Sequence, residues 1–208
     1  MSGQFITLEG TEGAGKSTNL VFIQEWLTAQ GIDHIVTREP GGTEIGEAIR
    51  EVLLNKDYTA MHEETELLLM FAARAQHLQE KILPALAQGK WVISDRFTDA
   101  TYAYQGAARG MEFDRIAEIE HWVQQGFFPH TTFIFDLPIE VGMARVASRG
   151  GETDRFEQEK HDFFEKVRSA YLKRAEMAPE RYTVLDASQP LEQVQADIVA
   201  RLQMMRGV

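Results

Sequence analysis

The fold of this 208-residue chain follows from one segment, Gly10-Thr11-Glu12-Gly13-Ala14-Gly15-Lys16-Ser17. The apolar run 5–9 before it is typical of a buried strand, and residues 18–30 after it have the spacing of a helix. In this setting the pattern G-x-x-x-x-G-K-S indicates a phosphate-binding loop, because glycines let backbone N–H groups turn toward an anion and the helix N-terminus adds its positive dipole. An ordinary glycine turn is the alternative.

This loop predicts its own ligands. We expect Lys16 to reach the β- and γ-phosphates of a bound nucleotide and Ser17 to bind Mg²⁺. The residues expected to contact the nucleotide are Gly10, Thr11, Glu12, Gly13, Ala14, Gly15, Lys16, Ser17 and Thr18. The carboxylate of Glu12 is unusual here, because it repels a triphosphate unless it has another function or is simply solvated.

The composition fits a single α/β domain spanning residues 1–208. Hydrophobic residues make up 44% of the chain, and no linker divides it. The absence of cysteine excludes disulfides and thiolate metal sites. A net charge of −11 argues against a nucleic-acid partner. We find neither a signal peptide nor an apolar span of about 18 residues, so we expect a cytoplasmic protein with no membrane partner.

Predicted strands and helices alternate along the whole chain. The strands are 5–9, 34–37, 91–94, 131–135 and 182–185. The helices are 18–30, a short helix beginning near Thr43, 63–87, 100–108, 113–125, 139–147, 157–177 and 191–205. Pro84 should kink or break the last turns of the helix 63–87. Five strands with helical crossovers predict a three-layer α/β fold around a five-stranded parallel sheet.

Residues beyond the loop restrict the class of protein. A GTPase would carry an N-K-x-D motif after a strand, whereas Asn55-Lys56-Asp57-Tyr58 has the wrong spacing and follows a short helix. Arginines instead stand at predicted loops and ends of elements. They are Arg38, Arg50, Arg74, Arg96, Arg149 and Arg155. Guanidinium groups suit phosphate oxygens, so this pattern favours a nucleotide as phosphoryl acceptor.

Several segments together resemble one family. They are Leu8–Ser17, Thr37-Arg38-Glu39-Pro40-Gly41-Gly42-Thr43, Leu69–His77, Asp95-Arg96-Phe97, Ala103-Tyr104-Gln105-Gly106 and Asp154-Arg155-Phe156-Glu157. Over nearly its whole length the chain resembles the thymidylate kinases of the bacterial type. The resemblance implies a P-loop nucleoside monophosphate kinase fold, usually a homodimer. It also implies ATP- and Mg²⁺-dependent phosphorylation of dTMP to dTDP.

The resemblance also implies catalytic roles. Those residues are Lys16, Glu12, Asp95, Arg96, Arg149 and Arg155. Glu12 would approach the 3′-hydroxyl of the acceptor and the arginines that bind its phosphate, and Ser17 and Asp95 would serve Mg²⁺. Eukaryotic relatives often carry an arginine where this chain has Gly13. The missing cation would come from a mobile lid at about 145–156, with Gly150 and Gly151 as candidate hinges, and the choice between Arg149 and Arg155 stays open.

The acceptor site is implied in the same way. Its expected residues are Glu39, Arg50, Phe71, Arg74, Arg96, Thr101, Tyr104 and Gln105. Phe71 would lie against thymine, although its spacing is also that of a core residue. Arg74 would donate to O4, Thr101 and Gln105 would face N3 and O2, and Tyr104 would crowd the ribose 2′ carbon.

Two other functions remain open at this point. One is a kinase for another nucleoside or nucleoside monophosphate, and the other is a non-catalytic P-loop switch. No general base is required, because a phosphate acceptor is already an oxyanion near neutral pH. The six histidines show no metal-ligand spacing and are interpreted as surface or core residues.

Overall fold

A computed structural model describes residues 3–149, 155–156 and 159–207, with the backbone alone at Arg149. The described residues form a five-stranded sheet with strand order β2-β3-β1-β4-β5, and every neighbouring pair is parallel. The strands are β1 Phe5–Gly10, β2 His34–Arg38, β3 Trp91–Asp95, β4 Thr131–Asp136 and β5 Tyr182–Asp186. All five predicted strands are confirmed.

Helices cover the two faces of the sheet. In the described part of the chain they are α1 Lys16–Ala29, α2 Glu44–Leu54, α3 Glu63–His77, α4 Leu83–Ala87, α5 Thr98–Thr101, α6 Phe113–Gln124, α7 Ile139–Arg149, α8 His161–Met177 and α9 Leu191–Arg206. The Thr43 hydroxyl caps α2 by accepting from the Gly46 N–H. No helix in this part of the chain combines the length and the apolar run needed to cross a bilayer.

Two predicted helices contain π-helical segments. The predicted helix 63–87 is α3, a π turn over Leu78–Ile82, and α4. Pro84 follows that turn, and its ring displaces the carbonyl four residues earlier, which explains why the α pattern is interrupted before it. The predicted helix 100–108 is α5 followed by a π segment over Tyr102–Ala108.

The hydrophobic core lies on both faces of the sheet. On one face Ile23 and Leu27 of α1 pack with Ile198 of α9 against Leu8 and Phe133. On the other face α8 and the π segment that follows α5 pack through Val167 and Ala103. Burying these side chains on both faces holds the strands in a single register.

That register brings the carboxyl ends of the strands together. Leu8 of β1 and Arg38 of β2 both lie beside Asp95 of β3. The loop after β1, the Asp95-Arg96 pair after β3 and Glu39 after β2 therefore meet at one edge. In open parallel sheets ligands bind at this edge, at the point where the strand order reverses direction. In this sheet the order reverses at β1.

Candidate active site

One cavity of about 650 Å³ occupies this edge of the sheet. The phosphate-binding loop lines one end, and the loop after β5 continues that end through Ala187 and Gln189. The other end is lined by Glu39, Arg50, Met70, Arg74, Phe97, Thr101, Tyr104, Gln105 and Phe156. Glu12, Asp95 and Arg96 also line the cavity. Apart from Gly10, Thr11 and Phe71, which do not line it, the predicted nucleotide and acceptor residues thus share this cavity.

The loop has the conformation that its glycines require. Gly10, Gly13 and Gly15 have φ angles of 143°, 74° and 91°, which other residues rarely adopt. Gly15 immediately precedes α1, so the N-terminus of the helix faces the cavity. Lys16 Nζ donates to the carbonyl oxygens of Gly10 and Thr11, at 2.9 Å each. Burial, followed by the charge of Arg96, lowers the pKa of Lys16.

Arg96 connects the two ends of the cavity. It is a non-glycine residue with a positive φ of 69°, a costly conformation that directs its side chain to this position. One terminal nitrogen, NH2, donates to Glu12 Oε1 and also, over 3.0 Å, to the Tyr104 hydroxyl. NH1 donates to the Tyr171 hydroxyl over 3.1 Å. Glu12, which lies in the phosphate loop, thus forms an ion pair with Arg96. This pair is consistent with the expected approach of Glu12 to a phosphate-binding arginine.

Behind Arg96 lies a buried hydrogen-bond chain. The Tyr171 hydroxyl accepts from Arg96 and donates to Glu9 Oε2 over 2.8 Å. Glu9 Oε1 accepts from the Phe97 N–H over 2.7 Å. Burial, together with the charge of Asp99, raises the pKa of Glu9 to about 8. This chain holds Arg96 rigidly, because each of its members is itself fixed by a second contact.

The donor set at Asp95 and Ser17 fits Mg²⁺. Asp95 Oδ1 is buried and has no hydrogen-bond partner among the described residues, although Asp95 lines the cavity. An unpaired buried carboxylate oxygen is costly unless a cation or its water shell satisfies it. Ser17 lines the same cavity and is exposed in it. Hydroxyl and carboxylate oxygens are the hard ligands that Mg²⁺ prefers.

Arg74 is a buried, hydrogen-bonded arginine of the acceptor end. Its side chain is only 2% exposed. Nε donates to Glu39 Oε2 over 2.8 Å, and NH2 donates to Thr101 Oγ1 over 3.0 Å. NH1 is buried and has no partner within the described chain. Glu39 also contacts His77 Nδ1 at 3.0 Å, so it orients Arg74 from behind. Arg74 therefore lines the cavity with one nitrogen still lacking an acceptor in the described part of the protein.

The structure corrects the role predicted for Phe71. Its ring is buried in a cluster with Leu67, Tyr102 and Ile116 and does not line the cavity. The Arg74 guanidinium lies 4.7 Å from the ring centroid, so Phe71 supports Arg74 rather than a base. Met70, one residue earlier, lines the cavity instead. One residue is about 100° around an α-helix, which separates the two side chains.

The structure also corrects the role predicted for Arg155. Its NH2 donates to Glu66 Oε2, and its Nε donates to the Leu53 carbonyl oxygen over 3.0 Å. Arg155 does not line the cavity, whereas Phe156 beside it does. In this structure it is therefore an anchor of its own segment and is not placed as the transfer cation. The side chain of Arg149 and the candidate hinges Gly150 and Gly151 lie outside the described residues.

The sequence analysis also missed Arg145, Glu66 and Glu9. Arg145 donates to the carbonyl oxygens of Gly13 and Ala187, over 3.3 and 3.4 Å. Glu66 binds Gln105 and two arginines from inside α3. Glu9 anchors Tyr171. The sequence did carry a signal for Glu9 and Glu66. A carboxylate inside an apolar strand or on the buried face of a helix indicates polar partners, because such a group is buried only with them.

The fold and the site define a P-loop phosphotransferase whose phosphate loop adjoins an arginine-rich acceptor pocket. Residues 8–198 match the family model for thymidylate kinase. The chain is 61% identical to the thymidylate kinase of Ectopseudomonas mendocina over 97% of this chain and 96% of that one. It is 57% identical to that of Chromohalobacter salexigens over 96% and 95%.

A solved structure agrees with the sequence relatives. The crystal structure of thymidylate kinase from Ehrlichia chaffeensis superposes with a TM-score of 0.78 at 31% identity, covering 98% of this chain and 99% of that one. The chain belongs to the thymidylate kinase family. It is a kinase with the P-loop nucleoside monophosphate kinase fold, and its sequence relatives named above are bacterial.

Proposed function

We propose that the cavity binds ATP and dTMP side by side and transfers the γ-phosphoryl group from ATP to dTMP. An oxygen of the dTMP phosphate forms a bond to the γ-phosphorus, and the bond from that phosphorus to the bridging oxygen breaks, leaving dTDP and ADP. The observation that carries this proposal is Arg96, because it contacts the phosphate loop through Glu12 and the acceptor end through Tyr104.

The reaction depends on alignment and charge. The dTMP phosphate has a second pKa of about 6, so it needs no general base near neutral pH. Lys16 would follow the transferring group, while Arg96 would hold the acceptor phosphate. Bound Mg²⁺, held by Ser17 and through Asp95, would neutralise charge on the ATP phosphates. The rigid support of Arg96 by Tyr171 and Glu9 maintains the alignment, which is worth several orders of magnitude in rate.

The nucleoside parts of ATP and dTMP would occupy opposite ends of the cavity. Arg145, Ala187 and Gln189 line the cavity beyond the loop, where the base and ribose of ATP would lie. Arg74, Thr101 and Gln105 line the acceptor end and offer hydrogen bonds to a pyrimidine, with Met70 as an apolar wall. Arg50 donates to the Pro40 carbonyl oxygen over 2.9 Å and contributes positive charge at the same end.

The segment 145–156 would act as a lid over both substrates. Its two described ends contact the two ends of the cavity, Arg145 at Gly13 and Phe156 beside Tyr104. A segment attached at both ends can close over ATP and dTMP together and exclude water. Arg149 stays a candidate for the transfer cation because of its position in the chain.

The working form would be a cytoplasmic homodimer. Helices α2, α3 and α6 pack together. They expose large apolar side chains, namely Ile45, Val52, Leu68, Phe113 and Trp122. Exposed apolar groups of this size favour an interface, and a second copy of the chain would cover them. Sedimentation of the purified protein tests the dimer, and a monomer at micromolar concentration contradicts it.

A coupled assay of ADP release tests the reaction itself. The purified protein is given ATP, Mg²⁺ and, in turn, dTMP, dUMP, dCMP, dGMP and AMP. We expect dTMP to give the highest kcat/KM. A higher value with another monophosphate would identify a different nucleotide kinase, and no acceptor-dependent turnover would indicate a switch.

A further inference from the structure

We infer that Glu66 is a positioning residue that sets the pyrimidine specificity of the site, because it holds the side-chain amide of Gln105 in one orientation. The inference rests on the proposed function. Gln105 lines the cavity yet is only 2% exposed. Its Nε2 donates to Glu66 Oε1 over 2.7 Å, a contact between residues 39 positions apart in the chain.

The direction of that hydrogen bond is fixed by chemistry. A carboxylate only accepts hydrogen bonds, whereas an amide carries a donor nitrogen and an acceptor oxygen. The nitrogen of Gln105 must therefore face Glu66, and Oε1 is left for the cavity. No side chain in the described part of the protein donates to Oε1. The cavity is offered an acceptor at this position and not a donor.

Glu66 cannot readily turn to allow the opposite arrangement. Its side chain is 2% exposed, and Arg155 NH2 donates to its second oxygen, Oε2. Arg109 Nε lies 3.4 Å from Oε1, and Arg109 NH1 lies 2.7 Å from Glu159. Two guanidinium groups from separate segments thus hold the carboxylate that holds the amide.

Arg74 provides the matching half of the pattern. Its NH1 is a buried donor without a partner in the described residues, and its NH2 binds Thr101. Thr101 and Gln105 are four residues apart in one helical stretch, so they are neighbours on one side of it. The Arg74 guanidinium therefore contacts the residue one helical turn before Gln105, and Arg74 and Gln105 line the same cavity.

This donor and acceptor pair matches one pyrimidine edge and opposes another. Thymine and uracil present O4, an acceptor, beside N3–H, a donor. Cytosine presents the reverse, a 4-amino donor beside the acceptor N3. If Gln105 were free to turn over, its nitrogen could face the cytosine N3 and remove half of the mismatch. Glu66 prevents this, although it does not line the cavity.

The test compares acceptors in the full-length protein. In Glu66→Gln, residue 66 can donate or accept, so Gln105 can turn over. We expect the ratio of kcat/KM for dTMP to that for dCMP to fall by about tenfold or more, as losing one matched polar contact does. The ratio for dTMP to dUMP should stay unchanged, because uracil has the same edge as thymine. An unchanged dTMP/dCMP ratio overturns the inference.

Two further variants separate positioning from general support of the fold. Arg115→Gln removes an exposed contact of Glu64, on the same helix as Glu66, and should leave the dTMP/dCMP ratio as it is in the wild type. In a Gln105→Met background, Glu66→Gln should have no further effect on that ratio, because there is no amide to orient. The same fold-change in that background would show that Glu66 acts elsewhere and would overturn the inference.

Folding and the proposed function are checked separately. If Glu66→Gln does not fold, Glu66→Asp keeps the charge for both arginines and withdraws the carboxylate from Gln105 by one methylene. It should lower the dTMP/dCMP ratio in the same direction, and an unchanged ratio counts against the inference. Wild-type protein that does not prefer dTMP contradicts the proposed function. Wild-type preference for dTMP that survives both substitutions contradicts only the role of Glu66.

Discussion

Gly13 in the phosphate loop lies directly against Gly142 in α7. A β-carbon added to Gly13 would be 2.3 Å from the Gly142 carbonyl oxygen, and one added to Gly142 would be 2.6 Å from the Glu12 carbonyl oxygen. The loop backbone and the helix that leads to the lid segment therefore touch with no side chain between them. This contact explains why residue 13 has no room for a side chain.

Gly13→Ala should lower kcat/KM for ATP by at least about tenfold, because the loop must shift away from α7 and lose its phosphate-binding geometry. Gly31→Ala is a matched control. Gly31 also has a positive φ, 66°, but no described atom lies within 4 Å of an added β-carbon. Gly31→Ala should therefore lower the free energy of unfolding by only about 1 kcal/mol. Steady-state kinetics and thermal melting measure both, and equal activity in the two variants would contradict a close contact.

Lys16→Ala should reduce the rate of phosphoryl transfer by at least about two orders of magnitude, comparable to the loss of one preorganised electrostatic contact. The lysine is buried at the loop, where its charge acts at low dielectric. A single-turnover assay measures the transfer step. Lys173→Ala, an exposed lysine of α8, should leave it unchanged. Near-normal transfer by folded Lys16→Ala would remove this residue from the active site.

Arg74→Ala should lower kcat/KM for dTMP and narrow the preference for dTMP over dCMP. A guanidinium only donates, so it suits thymine O4 and opposes the cytosine amino group. The variant should also lose about 1–3 kcal/mol of stability, because the buried Glu39 loses its arginine partner. The KM for ATP should change little.

The matched control for that experiment is Arg115→Ala. Arg115 pairs with Glu64 on the exposed surface of α6, so its removal should affect neither base preference nor stability by more than a few tenths of a kcal/mol. An unaltered dTMP/dCMP ratio in Arg74→Ala would show that the base is recognised by other residues.

His130 should make stability depend on pH. The Phe5 N–H donates to His130 Nδ1 over 2.9 Å, and partial burial lowers the pKa of the ring. The unfolded chain therefore binds the proton first as the pH falls through about 6.5. The contribution of His130 to the free energy of unfolding is present above that pH and is lost below it.

Urea unfolding at pH 7.5 and 5.5 measures this contribution. The difference between the two pH values should be smaller in His130→Asn than in the wild type, because Asn can accept the Phe5 N–H without titrating. His121→Asn, at an exposed histidine of α6, should behave as the wild type does. Comparing the variants with the wild type cancels the contributions of the other titrating groups to the pH dependence. Glu9 is one of these groups, and its raised pKa makes stability fall as the pH rises.

Local sequence was sufficient for the parts of this protein whose determinants are adjacent in the chain. The glycines of the phosphate loop need positive φ angles at fixed spacing, and the flanking strand and helix have their own periodicity, so residues 5–30 predict a bound phosphate without any distant contact. Asp95-Arg96 follows a strand in the same way. These motifs, with the alternating strands and helices, were enough to predict the five-stranded parallel sheet and the family.

Only the tertiary structure decided which side chains of the helices face the cavity. Phe71 and Met70 differ by one position, and the packing of α3 against α6 and the π segment after α5 places the methionine in the cavity and the phenylalanine in the core. Glu66 meets Gln105 and Arg155 from segments far along the chain. The physical reason is that helical periodicity shows that a face is buried, but the partners that bury it come from other elements, whose approach depends on packing of the whole sheet.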